Sequence, residues 1–188
     1  ECVLLRQVAY QFRNPDLPLV GIEPAVKPAA QNHRGEKVAV MATPLTLHEE
    51  KFKQLVKRYE NLATIIPVPC PDLVEYVEKG ILEGPELEGY LKDVLKPCLQ
   101  EGVKAVVLGC THFPLVKAAI GKVVGESVRI YDGGEGTARQ AKCLLAAKNL
   151  CTDQEKGHIC FESSAPEKEA YYEALYRKAA HIDSRVKL

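Results

Sequence analysis

Short Val- and Ile-rich runs separated by longer amphipathic stretches restrict this chain more than any other feature. Lys37–Ala42, Thr64–Val68, Val103–Leu108 and Val128–Tyr131 are brief and mostly apolar, as strands buried on both faces of a parallel sheet are. Leu17–Ile22 and His158–Glu162 share that character. Helical patterns fill the gaps. Thr46-x-x-Glu49 reads as a capping box ahead of Phe52, Leu55, Val56 and Tyr59. Pro71 suits a first helical position and Gly80 the residue after a helix end. Pro85 opens a helix that reaches Gln100, with Pro97 as an expected kink. Pro114–Val124, Gly136–Leu150 and Pro166–Ala180 complete the set, the last with Tyr172, Leu175, Tyr176 and Ala179 on one face. Such alternation predicts an α/β fold with mainly parallel sheets and right-handed crossovers. Ligands in these folds collect at the carboxyl ends of the strands.

Composition narrows the function classes. The 188 residues suffice for one large domain or two small ones. Lys and Arg total 25 against 25 Asp and Glu, so no basic stripe is available to neutralise a phosphate backbone, and no nucleic-acid partner is expected. No apolar run approaches the roughly 18 residues of a membrane span, and no signal peptide is visible at the start. Seven cysteines, at 2, 70, 98, 110, 143, 151 and 160, include no CxxC pair. That argues against a disulfide framework and a structural zinc site, and makes a reducing cytoplasm the expected compartment. The chain opens at Glu1 without Met and runs at once into an uncapped amphipathic pattern of Val3, Leu4, Val8 and Phe12. A chain cut from something longer is the expectation.

The chemistry concentrates after the Val103–Leu108 strand, in Gly109-Cys110-Thr111-His112-Phe113-Pro114. Gly109 permits a sharp turn or a close approach. Thr111 adds a hydroxyl and an N–H, and His112 an imidazole two residues from the sulfur. Pro114 then starts a helix whose positive end is expected to face the loop. A free thiol titrates near ~8.5, and a helix N-terminus or a cation lowers it to about 3.5–7.5. The same N–H groups could cradle a carboxylate. Taken alone, these residues leave alternatives open. Cys110 could be a small buried hydrophobe or a papain-like nucleophile. As a metal site, Cys110 and His112 offer two ligands with no evident third. His33, His48, His158 and His181 show no ligand spacing and read as surface residues. Asp132-Gly133-Gly134 reads equally as a phosphate turn or a crossover, and Cys151–Gly157 as a polar surface loop.

Leu108-Gly109-Cys110-Thr111-His112-Phe113-Pro114-Leu115 is similar to the second cysteine motif of glutamate racemases. Gly21-Ile22-Glu23-Pro24-Ala25-Val26-Lys27-Pro28-Ala29 resembles the family's stretch after its first cysteine. Ala42-Thr43-Pro44-Leu45-Thr46 looks like its Ala-Thr-Pro-x-Thr turn, and Cys70-Pro71 with Val77-Glu78-Lys79-Gly80 matches in order. Asp132-Gly133-Gly134-Glu135-Gly136-Thr137-Ala138 resembles an Asp-Ser-Gly-Glu-x-Thr-Ala stretch, with Gly133 in place of Ser. Related aspartate racemases usually carry Glu after Cys-Thr, so His112 favours glutamate. The family's early Asp-Ser-Gly and Cys-Asn-Thr motifs do not occur, and Cys2 is followed by Val-Leu. By this likeness roughly the first third of such an enzyme is missing.

The resemblance implies a cofactor-independent isomerase without pyridoxal phosphate or metal. Two cysteines on opposite faces of the substrate α-carbon would interconvert L- and D-glutamate for peptidoglycan, and hence for cell shape. It makes Cys110 one of the two bases, with His112 assisting it and Glu78 as the acidic partner of His112. Thr111, His112, Thr43 and Thr46 would contact substrate, although Thr46 also reads as a helix cap. It further implies two pseudo-symmetric α/β domains flanking the site. Residues 23–132 would form one, and 1–22 with 133–188 the incomplete remainder of the other. The uncovered sheet edges of that remainder would favour association, with a homodimer open as an assembly. This chain alone is expected to be inactive. The alternatives are an aspartate or broad amino-acid racemase of the same superfamily, or a non-catalytic module that binds a small carboxylate.

Overall fold

A computed structural model describes Pro18, residues 20–152 and residues 159–183. Its centre is a four-stranded parallel sheet in the order β2-β1-β3-β4. The strands are β1 (Lys37–Ala42), β2 (Thr64–Pro69), β3 (Ala105–Leu108) and β4 (Arg129–Tyr131). Val38–Ala42 and all of β3 are buried, which accounts for their unbroken apolar sequence. Side chains alternate across the sheet. Ala39, Met41, Val106 and Leu108 enter one core, and Val38, Val40, Ala105 and Val107 the other.

Helices cover both faces. α1 (Val26–Asn32) and α3 (Glu50–Tyr59) close the smaller core through Val26, Ala29, Ala30 and Phe52. α4 (Leu73–Glu78), α5 (Pro85–Gln100) and α6 (Lys117–Val124) close the larger one through Leu73, Val77, Leu87, Leu91, Leu95 and Ile120. The short α2 (Pro44–His48) links β1 to α3. α7 (Gly134–Ala147) has no buried residue, and α8 (Glu169–Asp183) follows a 3-10 turn at Pro166–Lys168.

The described chain divides into two compact units. One holds Pro24–Asp132 with the segment from Ile159; residues 18, 20–23 and 133–152 belong to the other. The sequence grouped all of 133–188 away from the sheet, whereas 159–183 sit with it. The reason is α8, whose Leu175 is buried in the larger core, with Tyr172 packed against it.

Several local expectations change. Residues 20–22 and 159–162 carry no strand, because a strand exists only through a neighbour that shares its ladder. Leu17, Leu19 and His158 lie outside the described residues, as do Val3, Leu4, Val8, Phe12 and residues 153–157 of the polar loop. The helix after Pro71 starts at Leu73. Pro97 does not end α5; it occupies the last turn, where little helix remains to be disrupted. Thr46 caps nothing. Thr43 is the N-cap, its Oγ1 accepting from the Thr46 amide at 3.3 Å, and the next helix begins only after an extended Glu49. His33 is half-buried rather than on the surface, edge-on to Tyr131 and 2.7 Å from Glu36 Oε2. His48 is exposed, as expected. Among the described residues no helix is long and apolar enough to cross a membrane.

Candidate active site

From β1 the chain moves outward to β2, then returns across β1 to form β3 on its other side. The crevice between the carboxyl ends of β1 and β3 is therefore a topological switch point, where open α/β sheets bind ligands. Met41 pairs with Leu108 at that end. Two residues beyond each of them stand Thr43 and Cys110. Gly109 makes the approach feasible. Its amide donates to Met41 O at 2.7 Å, and a Cβ there would lie 2.7 Å from the same oxygen. The glycine thus serves contact with β1.

Cys110 is half-buried. Its Sγ lies 3.7 Å from His112 Nδ1, and His112 Nε2 lies 3.0 Å from Glu78 Oε1 at the end of α4. Thiol, imidazole and carboxylate form one chain, with the His112 and Glu78 side chains 26% and 39% exposed. Burial pushes the Cys110 thiol up, but the imidazole of His112 and the backbone N–H groups of His112 and Thr111 outweigh it, leaving the thiol below its usual 9.0. His112 is raised to about 9, chiefly by its bond to Cys110, against desolvation and with help from Glu78. Thiol and imidazole thus each favour the other's charged form, the one lowered and the other raised. The helix dipole contributes less than the sequence suggested. Phe113–Val116 is a 3-10 turn, and α6 starts only at Lys117, seven residues past the sulfur.

Among the described residues no group of three His, Cys, Asp or Glu side chains is arranged to hold a metal ion. The arrangement can accept a proton on sulfur, hold the imidazole charged, and present hydroxyl and amide donors to an anion. The Asp/Glu/Hydantoin racemase family matches residues 11–141.

The chain belongs to that family.

Glutamate racemase from Clostridium perfringens is 44% identical over 154 residues, covering 81% of this chain and 59% of the relative. That from Clostridium kluyveri is 48% identical over 140 residues, covering 74% and 54%. The chain thus spans somewhat over half the length of these relatives. Among solved structures, Escherichia coli glutamate racemase in complex with L-glutamate and the activator UDP-MurNAc-Ala has a TM-score of 0.71 at 31% identity, over 87% of this chain and 62% of that one. Francisella tularensis glutamate racemase in complex with D-glutamate has a TM-score of 0.57 at 26% identity, over 68% and 47%.

In this racemase-family chain the structure brings Cys110, His112 and Glu78 into contact, with Thr111 exposed beside them. Thr43 and Thr46 are half-buried, and their Oγ1 atoms lie 3.0 Å apart at the β1 end of the crevice. Gly133 would be crowded by a side chain: a Cβ would lie 2.9 Å from Glu23 O. Its carbonyl accepts from Thr137 Oγ1 at 2.7 Å, which fits a crossover turn. Sequence reasoning missed the Lys117–Asp132 ion pair at 3.0 Å and the contacts of α8 with the turn after Glu78. Neither has a local sequence signature.

Proposed function

We propose that this chain supplies half of a cofactor-independent glutamate racemase site, with Cys110 as one of two thiols that exchange a proton with the substrate α-carbon. The observation that carries this reading is the accessible sulfur of Cys110, tuned by His112 at a sheet switch point. A thiolate takes the α-proton from one face, and the bond's electron pair delocalises into the α-carboxylate. A thiol on the opposite face delivers a proton, inverting the carbon. No atom is gained or lost. Positioned acid–base groups contribute about 10²–10⁴-fold, so oriented donors must also stabilise the carbanion. Thr43, Thr46, Thr111 and charged His112 are suited to hold the carboxylates, and Glu78 keeps His112 oriented.

The second thiol would come from the part of the relatives' length that this chain does not span. Its own sequence has no Cys-Asn-Thr motif, which supports reading residues 1–188 as catalytically incomplete by themselves. A second α/β domain, a cytoplasmic location, homodimer formation and the supply of D-glutamate to peptidoglycan belong to the same proposal.

The test is α-proton exchange in deuterated solvent with each glutamate enantiomer, on the longest product of the gene and on residues 1–188. Exchange and inversion are expected from the former only. A longer product inert towards both enantiomers would refute the activity, and a fully active 1–188 would refute the need for a second thiol from elsewhere. Competition by aspartate settles the substrate.

A further inference from the structure

The carbonyl groups at the end of α4 lead from the Cys110 site to α8. The α4 terminus closes as a Schellman motif: the Ile81 amide bonds Tyr76 O at 2.9 Å, the Gly80 amide bonds Val77 O at 2.8 Å, and Gly80 takes φ +71°. That motif leaves the carbonyls of Glu78 and Gly80 without a partner inside the helix. Both are met by α8. The Tyr171 hydroxyl donates to Glu78 O, and the Lys178 ammonium donates to Gly80 O at 2.6 Å. Tyr171 and Lys178 are seven residues apart, about two helical turns, with buried Leu175 between them on the same stripe. Tyr172 and Leu175 anchor that stripe in the larger core.

We propose that α8 is a strap that sets the aim of Glu78 at His112, with Tyr171 and Lys178 as positioning residues for the Cys110 site. The inference rests on the reading of His112 as the partner of Cys110. The backbone oxygen and the carboxylate of Glu78 belong to one residue: α8 grips the first while His112 meets the second at 3.0 Å. Release of the grip frees the last turn of a six-residue helix, whose C-terminal residue is Glu78. Glu78 then orients the imidazole less well, and the thiolate loses part of its support. Lys79 and Glu75 on α4 pair with each other at 3.3 Å, and Arg177 and Glu173 pair on α8 itself at 2.6 Å. They do not replace either contact.

The test follows Cys110 alkylation by iodoacetamide against pH in residues 1–188, resolved by peptide mass spectrometry so that exposed Cys143, Cys151 and Cys160 do not interfere. It needs no racemase activity. Tyr171→Phe with Lys178→Met keeps the ring and the aliphatic stem, so packing of α8 is retained. The expected result is an alkylation midpoint raised by about 0.3 pH unit, about twofold less thiolate below the midpoint, a smaller effect than loss of the Glu78 charge itself. Lys178→Arg in place of Lys178→Met, with Tyr171 intact, should keep the wild-type profile. A double variant that keeps the wild-type profile while His112→Ala raises it overturns the strap. If His112→Ala also leaves the profile unchanged, the underlying reading of His112 fails and the strap falls with it. Should the double variant unfold, Tyr171→Phe alone is measured, with a smaller shift in the same direction expected and no shift counting against the proposal.

Discussion

Two cysteines stand at equivalent places on either side of β1 and behave in opposite ways. Cys70 follows β2 and Cys110 follows β3, both at the carboxyl ends of parallel strands. Cys70 is sealed at 0% exposure; its Sγ donates to Val68 O at 3.4 Å, and burial pushes its thiol up to about 12. Cys110 is half-buried and faces an imidazole, and its thiol falls below the usual value. The strand end therefore does not make a sulfur reactive. Access and one cation beside the sulfur do.

The predictions challenge that contrast. The largest effect is expected from Cys110→Ala in the longest gene product, which should lower α-proton exchange by about 10²–10⁴-fold or more with substrate binding retained, as checked by single-turnover kinetics and calorimetry. His112→Ala comes next. Loss of the cation raises the Cys110 pKa, and alkylation at neutral pH should slow about tenfold for every pH step of one by which the midpoint climbs. Glu78→Gln acts through His112 across a pair that is partly exposed, and should slow it only about threefold. Cys70→Ala should leave the Cys110 profile unchanged and cost about 1 kcal/mol of stability, read from a denaturant midpoint. A Cys70 variant that altered Cys110 reactivity as much as His112→Ala would dissolve the contrast.

Much of this was legible in the sequence where a single local rule decided the outcome. Lys37–Ala42 and Pro85–Gln100 form the elements that their apolar pattern and terminal proline announce. The Cys110 loop lies at a strand end because Val103–Leu108 runs directly into it. Failures arose where partners are distant or two rules compete. Thr43 and Thr46 both suit a cap, and only the path of the chain after Ala42 gives the role to Thr43. Residues 20–22 have strand composition without a ladder to join. The grip of Tyr171 on Glu78 spans 93 residues of sequence, and periodicity carries no information on such a contact. The Glu78–His112 bond spans 34 residues and came only from family likeness.

The central claim is that the Cys110 thiol is more acidic than an ordinary one because His112 stands beside it. Alkylation rate against pH for the Cys110 and Cys70 peptides of the unaltered chain tests it most directly. The account predicts a Cys110 midpoint below 9.0, with Cys70 unreactive throughout unless the chain unfolds. A Cys110 midpoint at or above 9.0, or protection equal to that of Cys70, contradicts it.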